Sequence, residues 1–218
     1  MDNDTITVRP DERFDEFRLS EYLRGKLEGS EKALKIRQFS GGAANLTYLL
    51  DYGVCEYVLR RPPLGPVAPS SHDMAREFKV LSVLHKAFPY APQAYLLCVD
   101  PNVIGSPFFI MNRRRGVVIR KNLPKEFSNT PEAPLSISKA LIDVLAQFHK
   151  VDYNVLGLRE LGKPEGFICR QVNGWYTRWG EAKHQEMAEM DEIYAWLKNN
   201  IPDSKPVSYT HLTLPTKA

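Results

Sequence analysis

The feature that most constrains the fold is the stretch IRQFSGGAANLTYLLDYGVCEYVLRRPP, residues 36–63. The segments on either side of SGGAAN alternate apolar and polar residues, as half-buried strands do. Asp51-Tyr52-Gly53 is typical of a tight turn, and EYVLR predicts a third strand after it. Three strands in such close succession favour an antiparallel sheet, with a connection of small residues inside it.

Other patterns predict one helix inside this β-rich half and only helices after it. Two apolar runs, AYLLCV and PFFIM, predict two more strands, and GVVIR favours a further short one. Apolar residues recur at helical spacing, and Ser70 or Ser71 and later Ser136 are candidate caps. The predicted helices cover about 13–28, 72–86, 137–149 and 168–199.

The predicted class is therefore α+β, with a β-rich lobe followed by an incomplete helical lobe. The β-rich lobe holds about five antiparallel strands and one helix. The tail VSYTHLTLPT shares no composition with the preceding chain and looks like translated sequencing adapter, so we expect it to be non-native. The predicted domains are a helical N-terminal segment 1–33, the β-rich lobe 34–116, the helical lobe 117–205 and the tail 206–218.

Composition excludes several classes of protein. Hydrophobic residues make up 43% and charged residues 25% of the 218 residues, which is ordinary for a globular protein. A formal net charge of +3, with acids and bases interleaved, does not favour a nucleic-acid or membrane partner. No apolar run approaches the roughly 20 residues of a spanning helix. Three distant cysteines favour a reducing cytoplasm over a disulfide framework.

Three features of the β-rich half follow one another in the order that a phosphate site requires. Gly41 and Gly42 lack side chains, so backbone N–H groups of this loop can approach an anion closely. Arg60 ends the third strand, and Glu77 lies on the helix that follows. A basic residue on the third strand paired with a helix glutamate is the arrangement by which kinases hold phosphates.

Each of these residues also has an ordinary structural interpretation. The glycines can serve a plain hairpin, Arg60 can be a surface cation, and Glu77 can be a solvated helix residue. Arg61 is the alternative phosphate ligand. The run 113–115 of three arginines is either a solvated basic turn or a clamp for an anionic substrate.

The motifs YVLRRPP, AREFKVLSVL, DPNVIGSPFFIMNRRRGVVIR and LGKPEGFICRQVNGWYTRWGEAK together resemble the aminoglycoside phosphotransferase and choline kinase-like family. The resemblance covers residues 12–205 and is strongest to the branch that occurs fused to acyl-CoA dehydrogenase domains. It implies a protein-kinase-like bilobal fold that binds ATP with Mg²⁺ and phosphorylates a hydroxyl of a small molecule. The branch suggests a hydroxyacyl-CoA as acceptor and association with an acyl-CoA dehydrogenase.

The resemblance also implies which residues contact the nucleotide. The loop would contact phosphates, Arg60 would bind them, Glu77 would orient Arg60, and the backbone of 111–113 would meet the adenine edge. Ile110 and Met111 would form an apolar slot for the base. The implied nucleotide-binding residues are Ser40, Gly41, Gly42, Asn45, Arg60, Glu77, Met111, Asn112 and Arg113.

The family's catalytic loop, H-G-D-x-x-x-x-N, has no counterpart in the sequence, because no His-Gly occurs in it. No catalytic residue and no magnesium ligand is therefore assigned, and we expect this chain to lack the catalytic step. Two interpretations stay open: part of an ATP-dependent phosphotransferase, or a non-catalytic module that binds a nucleotide or acyl-CoA. A purely structural domain, which would not respond to nucleotide, is a third.

Overall fold

The computed structural model of the protein describes residues 4–41, 45–65, 72–119, 123, 127, 130–163 and 165–202. Gly42 of the predicted loop and the tail 206–218 lie outside the described residues. The described part is α+β, with one antiparallel sheet and a helical second half, which confirms the predicted class. The chain divides into two compact units, Met1–Leu158 and Arg159–Ala218. The first unit therefore includes a helix that was predicted to belong to the helical lobe 117–205.

Six strands of the described chain form the sheet, in the spatial order β1-β2-β3-β4-β6-β5, and all neighbours are antiparallel. The strands are β1 Thr5–Ile6, β2 Lys35–Phe39, β3 Leu46–Asp51, β4 Glu56–Arg61, β5 Ala94–Cys98 and β6 Phe108–Asn112. The prediction of about five strands missed β1, because two residues are too short to show alternation. The predicted strand at GVVIR is wrong for residues 116–119, which have no regular structure.

The described helices are α1 Glu16–Leu23, α2 Met74–Leu84, α3 Pro101–Ile104, α4 Ala133–His149, α5 Phe167–Ala182 and α6 Ala188–Asn199. The predicted helix 168–199 is two helices, because Lys183 and Met187 take extended backbone angles that interrupt the helical hydrogen bonds. The caps also differ from the prediction. Asp73 caps α2 by accepting a hydrogen bond from the Arg76 N–H at 3.0 Å. Glu132 precedes α4, and Ser136 lies inside it.

The predicted tight turn between β3 and β4 is confirmed. Gly53 adopts a φ of 81°, in the left-handed region that favours glycine. Its N–H donates to Oδ1 of Asp51 at 2.7 Å, and the N–H of Tyr52 donates to the carbonyl of Cys55 at 3.0 Å. This turn sets the register in which β4 pairs with β3.

Both faces of the sheet are covered. One face packs against α1 and α3 in a core that includes Tyr48, Leu59 and Ile110, each fully buried. The other face packs against α2 through a smaller cluster of Met74, Ala94 and Phe109. Residues of β4 therefore alternate between two different environments, because successive strand side chains point to opposite faces.

The second unit is held by polar and aromatic contacts between α5 and α6. The rings of Tyr176 and Tyr194 stack with centroids 3.8 Å apart, and the Tyr176 hydroxyl donates to Oδ1 of Asp191 at 2.5 Å. Neither helix contains a buried residue, and Trp175 and Trp196 remain about two-thirds exposed. Across the described residues, we find no helix with the length and apolar character needed to cross a membrane.

Shortening a side chain in the larger core should destabilise the sheet. Leu59→Ala removes methyl groups at a position with no exposed surface, which costs about 2–5 kcal/mol. Val99→Ala, at an exposed position, should change the free energy of unfolding by less than about 0.5 kcal/mol. Hydrogen exchange of β3, β4 and β6, followed by mass spectrometry, measures the stability of the sheet in both variants. Equal protection in the two variants would contradict this packing.

The stability of the sheet should fall at alkaline pH through Tyr57. Burial raises the pKa of the Tyr57 hydroxyl to about 12, with smaller contributions from Cys55 and Glu28, and the hydroxyl donates to the carbonyl of Glu28 at 3.0 Å. A folded-state pKa above the ordinary 10.0 stabilises the fold fully below pH 10, and this stabilisation is lost as the pH rises toward 12.

Tyr57→Phe should therefore cost about 1 kcal/mol at pH 7 through the lost hydrogen bond, and it should make the alkaline loss of stability shallower. The exposed Tyr153 provides the control variant, Tyr153→Phe. Urea unfolding followed by circular dichroism at pH 7, 10 and 11 measures the effect. An unchanged pH dependence in Tyr57→Phe would argue against this role.

Candidate functional site

Arg60 and Glu77 meet where the end of β4 lies beside the first turn of α2. Nε of Arg60 is 2.8 Å from Oε2 of Glu77, and both side chains are about one-third exposed. The N-cap Asp73 starts α2 so that Glu77 falls in its first turn, with the Glu77 N–H bonded to the Asp73 carbonyl at 3.1 Å. The ion pair expected from the sequence is therefore present, and its role toward phosphates stays a prediction.

Asn45 holds the second oxygen of the Glu77 carboxylate. Its Nδ2 donates to Oε1 of Glu77 at 2.9 Å, and its Oδ1 lies 2.5 Å from Nδ1 of His72. The Asn45 amide thus donates to Glu77 through its nitrogen and presents its oxygen to Nδ1 of His72. A continuous polar chain thus runs from Arg60 through Glu77 and Asn45 to His72.

His72 belongs to this chain although the sequence did not single it out. Its φ of 56° is in the left-handed region, and it is the one non-glycine residue there among those described. Histidine tolerates this region better than most residues, but the conformation still costs free energy. No pattern in the sequence assigns His72 to this site. Its hydrogen bond to Asn45, which lies 27 residues earlier in the chain, does so.

The glycine loop is only partly described. The N–H of Ser40 donates to the carbonyl of Asp4 at 3.3 Å, and its carbonyl accepts from Nη2 of Arg9 at 3.3 Å. The main-chain groups of Ser40 are thus engaged within the chain, so the expected phosphate contact at Ser40, which stays a prediction, would rely on its hydroxyl. Gly41 lies beside the undescribed residues 42–44, and Asn45 binds Glu77 instead of facing open solvent.

Arg61, the alternative to Arg60, points to the opposite face of the sheet. It is only 2% exposed, and its Nη1 donates to the carbonyl of Ile104 at 3.1 Å. Adjacent residues of a strand cannot share a face. Arg61 is therefore excluded from the site that Arg60 and Glu77 form.

The predicted base slot needs one correction for the same reason. Met111 lies on the α2 face, opposite Val58 in the register, and packs beside the α2 cluster. Ile110 is fully buried in the core on the other face, so it cannot line a slot with Met111. The N–H of Asn112 donates to the Gln93 carbonyl at 2.9 Å, and its Oδ1 accepts from the Gln93 N–H at 2.8 Å. The N–H of Asn112 is therefore engaged within the sheet, and the expected contact of the 111–113 backbone with the adenine edge stays a prediction.

The three arginines after β6 bind this chain's own acceptors. Arg113 is almost buried and contacts Glu56 at 3.0 Å and Asp4 at 3.2 Å. Arg115 also reaches Glu56, at 2.7 Å, and Arg114 donates to main-chain carbonyls of the 89–91 turn. The side chain of Arg113 thus ties β6 to the N-terminal segment, and its predicted contact with nucleotide can involve only its main chain.

The described residues contain no group of three or more His, Cys, Asp or Glu side chains that could hold a metal ion. The two Nη groups of Arg60 have no other polar contact within the described chain, and its Nε lacks a well-aligned hydrogen bond. A guanidinium that is held but not saturated suits an anionic ligand.

Comparison with known proteins decides the family. Residues 35–212 match the phosphotransferase enzyme family, APH. The chain belongs to this family. This confirms the resemblance drawn from the sequence. The chain also shares its fold with the crystal structure of a protein assigned as an aminoglycoside phosphotransferase from Ralstonia eutropha, with a TM-score of 0.65 and 30% identity. That match covers 89% of this chain and 56% of the other.

Similar curated proteins are acyl-CoA dehydrogenase family members. The chain is 36% identical over 202 residues to family member 11 from Gallus gallus, covering 91% of this chain and 26% of the relative. It is 34% identical over 208 residues to family member 11 from Homo sapiens, covering 93% of this chain and 26% of that protein. It is 30% identical to family member 10 from Mus musculus over 194 residues, 88% of this chain and 18% of that protein. The chain thus spans about a quarter of the length of the family member 11 proteins, which is consistent with a fused phosphotransferase region.

Removing Asn45 should loosen the site without touching Arg60 directly. Asn45→Ala leaves Oε1 of Glu77 and Nδ1 of His72 without these partners in a partly buried setting, at a cost of about 0.5–1.5 kcal/mol. Asn154→Ala, at an exposed position in the same unit, is the matched control and should be near neutral. Chemical denaturation measures both, and hydrogen exchange at the start of α2 should rise only for Asn45→Ala.

Proposed function

We propose that this chain is the nucleotide-holding part of an ATP-dependent phosphotransferase that phosphorylates a hydroxyl of a small molecule. The observation that carries the proposal is the Arg60–Glu77 ion pair, with the far oxygen of Glu77 held by Asn45. Family membership supports a kinase-like phosphotransferase, and the ion pair stands where such an enzyme needs a positioned cation.

Arg60 would bind the phosphates through its Nη groups. Glu77 restricts the rotamers of Arg60, so little conformational entropy remains to be lost when the anion binds. Arginine offers a planar pair of donors that can engage two phosphate oxygens at once, which a lysine at this position would not. ATP, when bound, would supply the phosphoryl group that is transferred.

The adenine base of ATP would lie toward Met111. Arg60 is paired with Phe109 in the register, and Met111 is two residues further along β6, roughly 7 Å away by the rise of a strand. Both side chains face α2, so a nucleotide lying along this face could reach the two residues together. Gly41 would contact the phosphate end of the nucleotide, and main-chain groups near Arg113 would contact its adenine end.

The acceptor class we propose is a hydroxyacyl-CoA. The similarity to acyl-CoA dehydrogenase family members 10 and 11 supports it, because a phosphotransferase region joined to such an enzyme would act on a related thioester. The sequence contains no His-Gly-Asp, so no residue here is given the part of catalytic base or magnesium ligand. The cytoplasm, where free Cys55, Cys98 and Cys169 persist as thiols, is the proposed compartment.

Mg-ATP should raise the melting temperature of the protein in a concentration-dependent way. A ligand that binds only the folded state stabilises it by about 2.7 kcal/mol at 100 times its dissociation constant. Arg60→Ala should weaken ATP binding roughly 10- to 100-fold, since a charge-assisted hydrogen bond contributes about 1.5–3 kcal/mol. Glu77→Ala should weaken it less, because the cation remains but is no longer oriented.

Arg24→Ala is the matched control, since Arg24 is an exposed arginine whose ion pair is with Glu21. Thermal-shift titration and calorimetry should be carried out on the 218-residue chain and, for comparison, on the longer relative acyl-CoA dehydrogenase family member 11 from Homo sapiens. Equal ATP responses from Arg60→Ala, Arg24→Ala and the parent would refute the phosphate site. ATP binding by both proteins, without phosphorylation of a hydroxyacyl-CoA by the longer relative, would favour the non-catalytic module.

A further inference from the structure

A second basic site lies on the face of the sheet opposite Arg60. A cavity of about 420 Å³ opens between the start of α1, the end of β4 and the short helix α3. Its lining includes three arginines and one aspartate, together with apolar side chains. This volume is in the range of small-molecule sites. All the residues that line the cavity belong to the first compact unit.

Arg61 is a buried cation without a carboxylate partner in the described chain. It is 2% exposed, and its Nε has no hydrogen-bond partner. Its Nη groups donate to the main-chain carbonyls of Ile104 at 3.1 Å and Glu12 at 3.5 Å. The rings of Phe14 and Tyr48 flank it, with centroids 5.3 and 5.7 Å from the guanidinium carbon.

Burying a charge is costly unless it is paired. The Glu12 carboxylate lies close enough to interact with the charge of Arg61, but its hydrogen bonds come from Arg9 at 2.9 Å and from Gln38. Carbonyl dipoles and aromatic faces compensate the charge of Arg61 only in part. The position therefore favours an anion that enters through the cavity.

Two further arginines stand in the same cavity. Arg13 is exposed and has no polar contact among the described residues, whereas Arg18 contacts Oδ2 of Asp15 at 3.3 Å and the Asn102 carbonyl at 3.3 Å. Asp15 also caps α1 through the Arg18 N–H. The lining thus has three cations against one aspartate that is already engaged.

We propose that Arg13, Arg18 and Arg61 form a binding site for the phosphate group of a small phosphorylated molecule. Three guanidinium groups offer more donors than a carboxylate can accept, whereas a phosphate monoester has three anionic oxygens for them. Phe14, Val103 and Ile104 give the cavity an apolar wall for the rest of the molecule. The site is separate from the Arg60 face, and it does not depend on the proposed function.

Phenyl phosphate and inorganic phosphate are suitable probes, compared with chloride at equal ionic strength. Both should raise the melting temperature with increasing concentration, and phenyl phosphate should bind more tightly because its ring contacts the apolar wall. Equal binding of the two probes would mean that the site takes free phosphate and would overturn the assignment to a phosphorylated molecule. Absence of any shift in millimolar phenyl phosphate would overturn the site itself.

Matched variants locate the binding. Arg13→Gln together with Arg18→Gln changes two exposed side chains and should weaken phenyl phosphate binding about 10-fold or more without altering the fold. Arg24→Gln changes an exposed arginine just after α1 and outside the cavity, and it should bind like the parent. Unchanged binding in the double variant, or an equal loss of binding in Arg24→Gln, would overturn the proposal.

Chemical modification gives an independent measurement. Phenylglyoxal modifies accessible arginines, and mass spectrometry reports each one separately. Phenyl phosphate should slow modification of Arg13 and Arg18 but leave that of Arg24 unchanged. Equal rates with and without phenyl phosphate at Arg13 and Arg18 would contradict binding in this cavity.

Discussion

The alternation of side chains along β4 is the constraint on which the rest of the structure depends. It directs Arg60 toward α2 and Arg61 toward α1 and α3, although the two residues are adjacent. One arginine stays one-third exposed and paired with a carboxylate, while the other is buried among carbonyls and rings. A slip of one residue in the pairing of β4 with β3 would exchange these environments and bury the wrong charge. The Asp51–Gly53 turn, which sets that register, is therefore important to both faces.

The ion pair between Arg60 and Glu77 restricts the conformation of the arginine more than it stabilises the folded protein. An ion pair exposed to this degree contributes little to stability, because water screens it. Its effect is to limit the positions of the guanidinium, and Asn45 extends that limit to Glu77. The left-handed backbone of His72 costs free energy that the surrounding contacts must offset. Such strain next to a positioned cation is common where a protein prepares a site for a ligand.

Local patterns predicted the parts of the fold that depend on neighbours in the sequence. Alternation and short apolar runs located the five longer strands, and the kinase-like order of a strand arginine and a helix glutamate predicted an ion pair that the structure contains. The predictions failed where one sequence pattern is compatible with several different structures. The apolar spacing of 168–199 suits one long helix as well as two, and the break near Lys183 depends on how α5 and α6 pack. Ile110 and Met111 were assigned to one slot although strand geometry separates them.

The sequence by itself determined the α+β class and the turn at Gly53, because each depends on short-range patterns, and its motifs carried the family resemblance and the kinase-like pairing of Arg60 with Glu77. Only the tertiary structure decided which side chains complete the sites. Asn45 reaches Glu77 across 32 residues, and Arg113 reaches Asp4 across 109. Such contacts leave no periodic signal in the chain. They arise because sheet formation brings distant segments together, and buried polar groups then need whichever partners lie nearby.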